Sequence, residues 1–525
     1  MQCDVAQCDV APEVGGMSTD KVGTDGVGTD GVGTDGLFEA VHGGDADAVV
    51  RLLRAGVPAD AADPDGETPL YRASVSDEPV IVRLLLAAGA DPDGASGEDG
   101  GELPLCGAAC GGHTEVVRAL LAAGAQVDLR ESYNWNAMSW AVQQGHADTV
   151  EALLEHGADP LLPGANGLPP LVAAARRGSA TTVRALLRHG AGATRPALTE
   201  ALAEARRWIG ADVEQVLRDS LVEMEGGVED GSFEVVSRRV PEDGGITVVV
   251  EIVRDGRPTT GQEQQTGHAA IATMLEVALG IRTPDEELAV RALSCGDPEL
   301  DDWIEVVSTL RARADEDTFE TAAAWCASDD VLRQALGVDV LGGLGAGARA
   351  VPLLRELARE AQDEELVRAV IAALGQYGDP AALPEVLSCA GHPEPEVRRR
   401  VAVALVGMVP AGHAEAGAVL VGLSRDADEG VRDWATLALA ELPDDSPELR
   451  SALADRLDDP DPDVVAEAAR GLAIRQDPRA IAPLTRLLAD EDPDGSARDT
   501  ALDALSHIQD PLTRTRLEWT TPRYR

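Results

Sequence analysis

The feature that most limits what this chain can fold into is a phrase that returns at a nearly fixed interval. Two leucines, two further residues and a glycine stand at Leu52-Leu53-Arg54-Ala55-Gly56, Leu85-Leu86-Ala87-Ala88-Gly89 and Leu120-Leu121-Ala122-Ala123-Gly124. The phrase comes back at Leu153-Leu154-Glu155-His156-Gly157 and Leu186-Leu187-Arg188-His189-Gly190, so the glycines are spaced by 33, 35, 33 and 33 residues. A period of that length describes stacked helical units, none of which buries its apolar face without a neighbour. In the second unit Asp65-Gly66 makes a turn, and Thr68 caps a first helix with Pro69 at its opening position. A second apolar helix, Val80 to Leu86, ends at Gly89, which supplies a left-handed stop.

Charge limits what such an array can hold. The 525 residues carry 92 acidic against 44 basic side chains, a net charge of −48. That balance repels phosphate, so neither nucleic acid nor an anionic membrane surface is an expected partner. Its plainest use is to keep a large array soluble. Lys21 is the one lysine, a pattern that fits a genome rich in G and C. Seven cysteines at 3, 8, 106, 110, 295, 326 and 389 form no framework, and reduced thiols are expected. The N-terminus is acidic without an apolar core, so no signal peptide is expected. The longest apolar runs, such as Val401 to Val409, are far too short for a bilayer. A cytoplasmic chain is the expectation.

Residues 1–35 are low in complexity, with Val-Gly-Thr-Asp-Gly repeating from Val22 to Gly36, and are expected to be disordered. The five units follow over 36–195. Gly66-Glu67-Thr68-Pro69-Leu70-Tyr71-Arg72-Ala73, Leu103-Pro104-Leu105-Cys106-Gly107-Ala108-Ala109 and Gly112-His113-Thr114-Glu115-Val116-Val117, together with the glycine-stop phrases, resemble the ankyrin repeat family. The first unit lacks the Thr-Pro opening, the fourth has Asn136-Ala137-Met138 in its place, and the fifth has Pro169-Pro170-Leu171.

The resemblance implies a partner-binding surface made of the turn tips and the outer face of each first helix. Aligned on the glycines, that face is held by Glu39, Arg72, Gly107, Trp140 and Ala173, and the tips lie near Asp65, Glu67, Glu102, Tyr133 and Trp135. The chain has seven Trp, four Tyr and three Phe, yet Tyr133, Trp135 and Trp140 crowd one unit. Exposed Trp and Tyr are typical anchors of protein interfaces. The candidate binding residues are therefore Tyr71, Arg72, Tyr133, Trp135 and Trp140. The bland alternative is that the rings pack on a neighbouring unit. If they bind a partner, alanine at both Trp135 and Trp140 weakens binding with little change in melting temperature.

Residues 196–224 read as one amphipathic helix, with Leu198, Leu202, Ala205, Ile209, Val213, Val216 and Leu217 at helical spacing, closing the array. Over 225–265 the period changes to two. Phe233, Val235 and Ser237 alternate, residues 241–245 turn, and Ile246 to Val253 is β-branched, which predicts a hairpin followed by a polar linker, Gly261 to Gln265. Connecting helices are expected over 266–315.

A second period follows over 316–510, before a patternless tail, 511–525, in which Trp519 is expected to dock on the last repeat. Leu332-Arg333, Val367-Arg368, Val397-Arg398, Val431-Arg432, Val464-Val465 and Ala497-Arg498 each follow an acidic or proline cluster and precede an Ala/Leu helix. These residues look like HEAT-like repeats, of the short kind also found in phycobilin lyases. The acids cap helix starts, and each arginine is expected to bond an aspartate in an adjacent loop.

No chemistry stands out. Cys106, Cys110 and His113 share a spacing that zinc ligands use, but they occupy ordinary repeat positions and lack a fourth ligand. Deoxyhypusine hydroxylase, built of related HEAT units, holds iron through His-Glu pairs, and here the comparable positions read His392-Pro393 and His413-Ala414. Walker, Gly-x-Ser-x-Gly and His-Glu-x-x-His patterns are missing. The expectation is an all-α fold of two α-solenoid arrays, ankyrin then HEAT-like, joined by a β-hairpin insert and connecting helices. It is expected to be a non-catalytic scaffold for one or more proteins, with no cofactor. The alternatives are a lyase-like or metal-assisted enzyme of the HEAT half, or an auto-inhibited regulator.

Overall fold

The computed structural model describes residues 29–97, 101–224, 233–242, 244–489 and 495–520. The chain divides into two compact units, 1–306 and 307–525. Of the tail expected to be disordered, 1–28 lie outside the described residues. From Thr29 the chain is already helical, in the Thr29–His42 helix that opens the first repeat, so the expected disorder does not reach residue 35.

The N-terminal unit is an array of helix pairs. Thr68 accepts from the Tyr71 amide to cap Pro69–Val75, and the stops at Gly56, Gly89, Gly124, Gly157 and Gly190 all have positive φ. One apolar core runs through the pairs from Leu37 to Leu275. Polar rungs reinforce it. Asp60 accepts from the Asp91 amide, Asp93 from the Gln126 amide and Asp128 from the Asp159 amide, each one unit further on. Loop histidines repeat the device, since His113 bonds the Val75 carbonyl and His146 the Cys110 carbonyl of the preceding unit. Much of the loop polarity is thus used to hold successive units in register.

The helix expected over 196–224 is two helices, Arg195–Arg206 and Val213–Met224, broken around Gly210, which takes a positive φ. Arg195–Arg206 does not close the array alone. It packs beside His268–Leu279, and Leu198, Ala201, Leu202, Ala270, Ile271 and Leu275 join the same core. The two helices form a sixth pair, with a β-sheet inserted between them. Gly267-His268 stands where Gly112-His113 and Gly145-His146 stand in earlier units, and His268 in turn meets the Arg176 carbonyl of the fifth.

The insert has three antiparallel strands, not two: β1 (Glu234–Glu242), β2 (Gly245–Arg254) and β3 (Arg257–Gln265), in the order β1-β2-β3. The presumed polar linker is the end of β3. Asp255 and Gly256, both at positive φ, make the tight turn that returns the chain along β2, and Val250 pairs with Gln262. Val248, Val250 and Ile252 pack on Leu217 and Leu221 as a small core of their own.

The C-terminal unit is a row of helices in which Val331–Gly342, Glu364–Tyr377, Pro395–Leu405, Glu429–Glu441, Pro462–Ile474 and Ser496–His507 lie one against the next. Asp330, Asp363, Asp428 and Asp461 cap their helices through backbone amides. The acid cluster at 492–494 lies outside the described residues. Arg398 grips Asp426 with two bonds of 2.7 and 2.8 Å, and Arg432 grips Asp459 at 3.1 and 3.2 Å, both in the following loop. Arg368 pairs with Glu365 of its own helix. Trp519, expected to dock on the last repeat, is 72% exposed. Arg432→Ala removes two bonds from Asp459, whose side chain is 3% exposed, leaving it Arg456 and the Asp461 amide, and is expected to destabilise this unit by about 2 kcal/mol. Hydrogen exchange across 429–474 reads the effect, and unchanged protection there refutes it.

Candidate interaction face

Residues Arg130 to Asn136 form a finger closed by an antiparallel bridge between those two residues. At its tip Tyr133 and Asn134 are both left-handed, with φ of 62° and 70°. Asparagine tolerates that conformation, but for a bulky ring it is strained. Arg130 braces the finger, donating to the Asn134 carbonyl and to the Pro163 carbonyl of the next unit, both at 2.7 Å. The Tyr133 ring is 91% exposed.

Trp135 and Trp140 lie at the base of the finger with ring centroids 4.3 Å apart and planes 23° from parallel. Both are half-buried. Trp140 packs on the array core and donates its indole N–H to Glu131, while Trp135 walls a crevice of about 20 Å³ between the fourth and fifth units. The rings therefore combine an exposed edge with a structural contact. Alanine at both positions removes stacked, half-buried area, so a lowered melting temperature is now expected alongside any loss of binding.

Tyr71 and Arg72 sit on the first helix of the second unit and are engaged within the array. Arg72 pairs with Glu67 at 2.5 Å. Tyr71 is half-buried beside Gly107, where an added Cβ would come within 3.1 Å of the ring. Burial and then the Glu102 carboxylate raise its phenol well above the usual range. Burial likewise raises Glu131, against hydrogen bonds from Trp140, the Leu103 amide and Cys106. Burial and Glu131 push the Cys106 thiol up as well, which makes it an inert structural thiol.

The structure thus brings Tyr71, Cys106 and Trp140 together through Glu102 and Glu131, forming a strip across three units with Tyr133 and Trp135 at its outer end. Glu131 is the residue that sequence reasoning missed. It lies two residues before Tyr133, and nothing in its spacing shows that it reaches back to the third unit. Among the described residues no group of three or more His, Cys, Asp or Glu side chains is placed to hold a metal ion. The Cys106–Cys110–His113 spacing is used for packing and for the Val75 carbonyl.

Comparison with known families agrees with this geometry. Residues 65–96 match the model of the ankyrin repeat and 92–163 that of ankyrin repeats in three copies. Residues 321–407, 351–440 and 450–518 match the model of HEAT repeats. No curated protein matches the chain. The chain carries an ankyrin array followed by a HEAT array, the two repeat types in the order read from the sequence. Both are typical scaffolds for protein interaction. Among the described residues no helix is long and apolar enough to cross a membrane.

Proposed function

We propose that this ankyrin- and HEAT-repeat protein is a non-catalytic cytoplasmic scaffold, and that its ankyrin face grips a protein partner through Tyr133, Trp135 and Trp140. Tyr71 and Arg72 extend the same strip. The observation that carries this reading is Tyr133, a large ring held almost wholly in solvent on a strained, braced finger. Strain of that kind is kept where the surrounding structure enforces it, and it clusters at binding sites. The stacked indoles beside it supply rigid contact area with little entropy to lose. The carboxylates Glu67, Glu102 and Glu131 along the strip, on a chain of net charge −48, favour a partner segment that is basic.

Tyr133→Asn tests this cleanly, because asparagine suits the left-handed backbone and the ring buries little. The variant is expected to melt no lower than the parent, yet to retain the partner at least about tenfold more weakly in a quantitative pull-down from native lysate. Identical retention of the same proteins by both would place the interface elsewhere.

A further inference from the structure

The β-sheet insert does more than separate the two helices of the sixth pair. Between residues 208–214, the start of β2 at Gly245, the start of His268–Leu279 and the end of Asp285–Cys295 it leaves an open cavity of about 590 Å³. That is the size range of small-molecule sites. Its walls mix polar and apolar surface, with Trp208, Val213, Ile246, Val248, Val290 and Leu300 among the apolar side chains. The indole of Trp208 lies along one wall, stacked on His268 at 5.3 Å and 17° from parallel.

The polar groups lean to one sign. Asp212, Glu214 and Asp302 line the cavity against Arg239 and Arg291. Arg291 directs its N–H groups to Glu276, Glu287 and Thr273, and its charge is felt at Asp302. Asp302 accepts from the Ala270 amide at 2.6 Å, and no salt bridge to it is found among the described residues. Burial raises its carboxyl to about 6 and Asp301 adds to the rise, while the Ala270 and Ala269 amides and the nearby Arg291 charge offset part of it. Burial also lowers His268 to about 4, so its imidazole is neutral near pH 7 and does not repel a cation.

We infer that this cavity binds a small organic cation, an aromatic amine whose ammonium group meets Asp302 while its ring lies against Trp208. The ligand gives Asp302 a direct ionic partner, in a place where water is partly excluded and the interaction is strengthened. The site does not overlap the ankyrin strip, and it stands or falls independently of the scaffold reading.

Calorimetric titration of the full chain with tryptamine and phenethylamine tests the inference, with indole-3-propionate and 3-phenylpropionate as matched carboxylates. At least one amine is expected to bind with Kd of about 1 mM or tighter, and the carboxylates at least about tenfold more weakly. Asp302→Asn, which keeps the acceptor for the Ala270 amide, is expected to lose binding by about tenfold or more. If that variant does not fold, Val290→Trp carries the test, since it fills the cavity from an exposed wall position without touching the carboxylate and must abolish binding. The inference is overturned if neither amine binds, if the carboxylates bind equally, or if the folded variants bind like the parent. N-acetyl-lysine methylamide binding as tightly as the aromatic amines overturns it too, because the site would then read a lysine side chain rather than a small aromatic ligand.

Discussion

Arg291→Met is expected to destabilise the N-terminal unit by about 3–5 kcal/mol, the largest single effect foreseen in this protein. Glu276 and Arg291 are 1% and 3% exposed and share two hydrogen bonds, at 2.8 and 2.9 Å. Thr283 and Arg206 complete the shell of Glu276, so one carboxylate ties together the two helices of the sixth pair and the Asp285–Cys295 helix. Burial by itself would push this carboxyl up, but the bonds from Arg291, Thr283 and Arg206 outweigh it and hold it at about 2. A depressed carboxyl contributes stability that is complete above its ordinary value near 4.5 and fades as pH falls toward 2. In the variant that pull is weakened, and the buried charge becomes a burden which protonation relieves. The difference between parent and variant should therefore be greatest near pH 7 and shrink in acid. Hydrogen exchange across 268–295 at several pH values reads it, and a penalty independent of pH would show that packing rather than charge is responsible. Adding Glu276→Gln should recover part of the loss by removing the stranded carboxylate.

Gly178→Ala is expected to cost about 2–4 kcal/mol, well above the roughly 1 kcal/mol expected of Gly157→Ala. Both glycines have positive φ, 81° and 88°, so both substitutions strain the backbone. Only at Gly178 does the space fill. A Cβ there would lie 2.2 Å from the Gln265 carbonyl oxygen at the end of β3, while at Gly157 nothing lies within 4 Å. The Gly178 carbonyl also accepts from the Gly267 amide at 3.1 Å, which seats the sixth pair on the fifth. Calorimetric melting of the two variants side by side decides the matter. Equal losses would mean that the junction yields and only the φ penalty remains.

These two sites show where sequence reading reaches and where it stops. Gly178 is legible as a helix stop because its local neighbours demand φ > 0, but its contact with Gln265 joins residues 87 positions apart. The third strand could have been found from Asp255-Gly256, a strong signal for a tight hairpin turn. It was hidden because β3, at Arg257–Gln265, is polar enough to read as linker. The break at Gly210 was masked by an apolar spacing that continues through it, since a period of 3.6 describes two short helices as well as one long one. In the interaction face, Tyr133, Trp135 and Trp140 were visible as an aromatic cluster in a chain poor in aromatics. The exposure of the first and the half-burial of the other two were not.

The two repeat types, their order and their local grammar of caps, turns and glycine stops are written in the chain itself. Those follow from short-range sterics and hydrogen bonding repeated at a fixed period, and repetition makes weak local signals add. That Arg195–Arg206 finds its partner helix some sixty residues later, across an inserted sheet, emerges from the folded contacts alone. The same holds for Asp302 lining a cavity and for Glu131 reaching into a neighbouring unit. Burial and electrostatics depend on which surfaces meet, and residues far apart in the chain carry no periodic trace of that meeting.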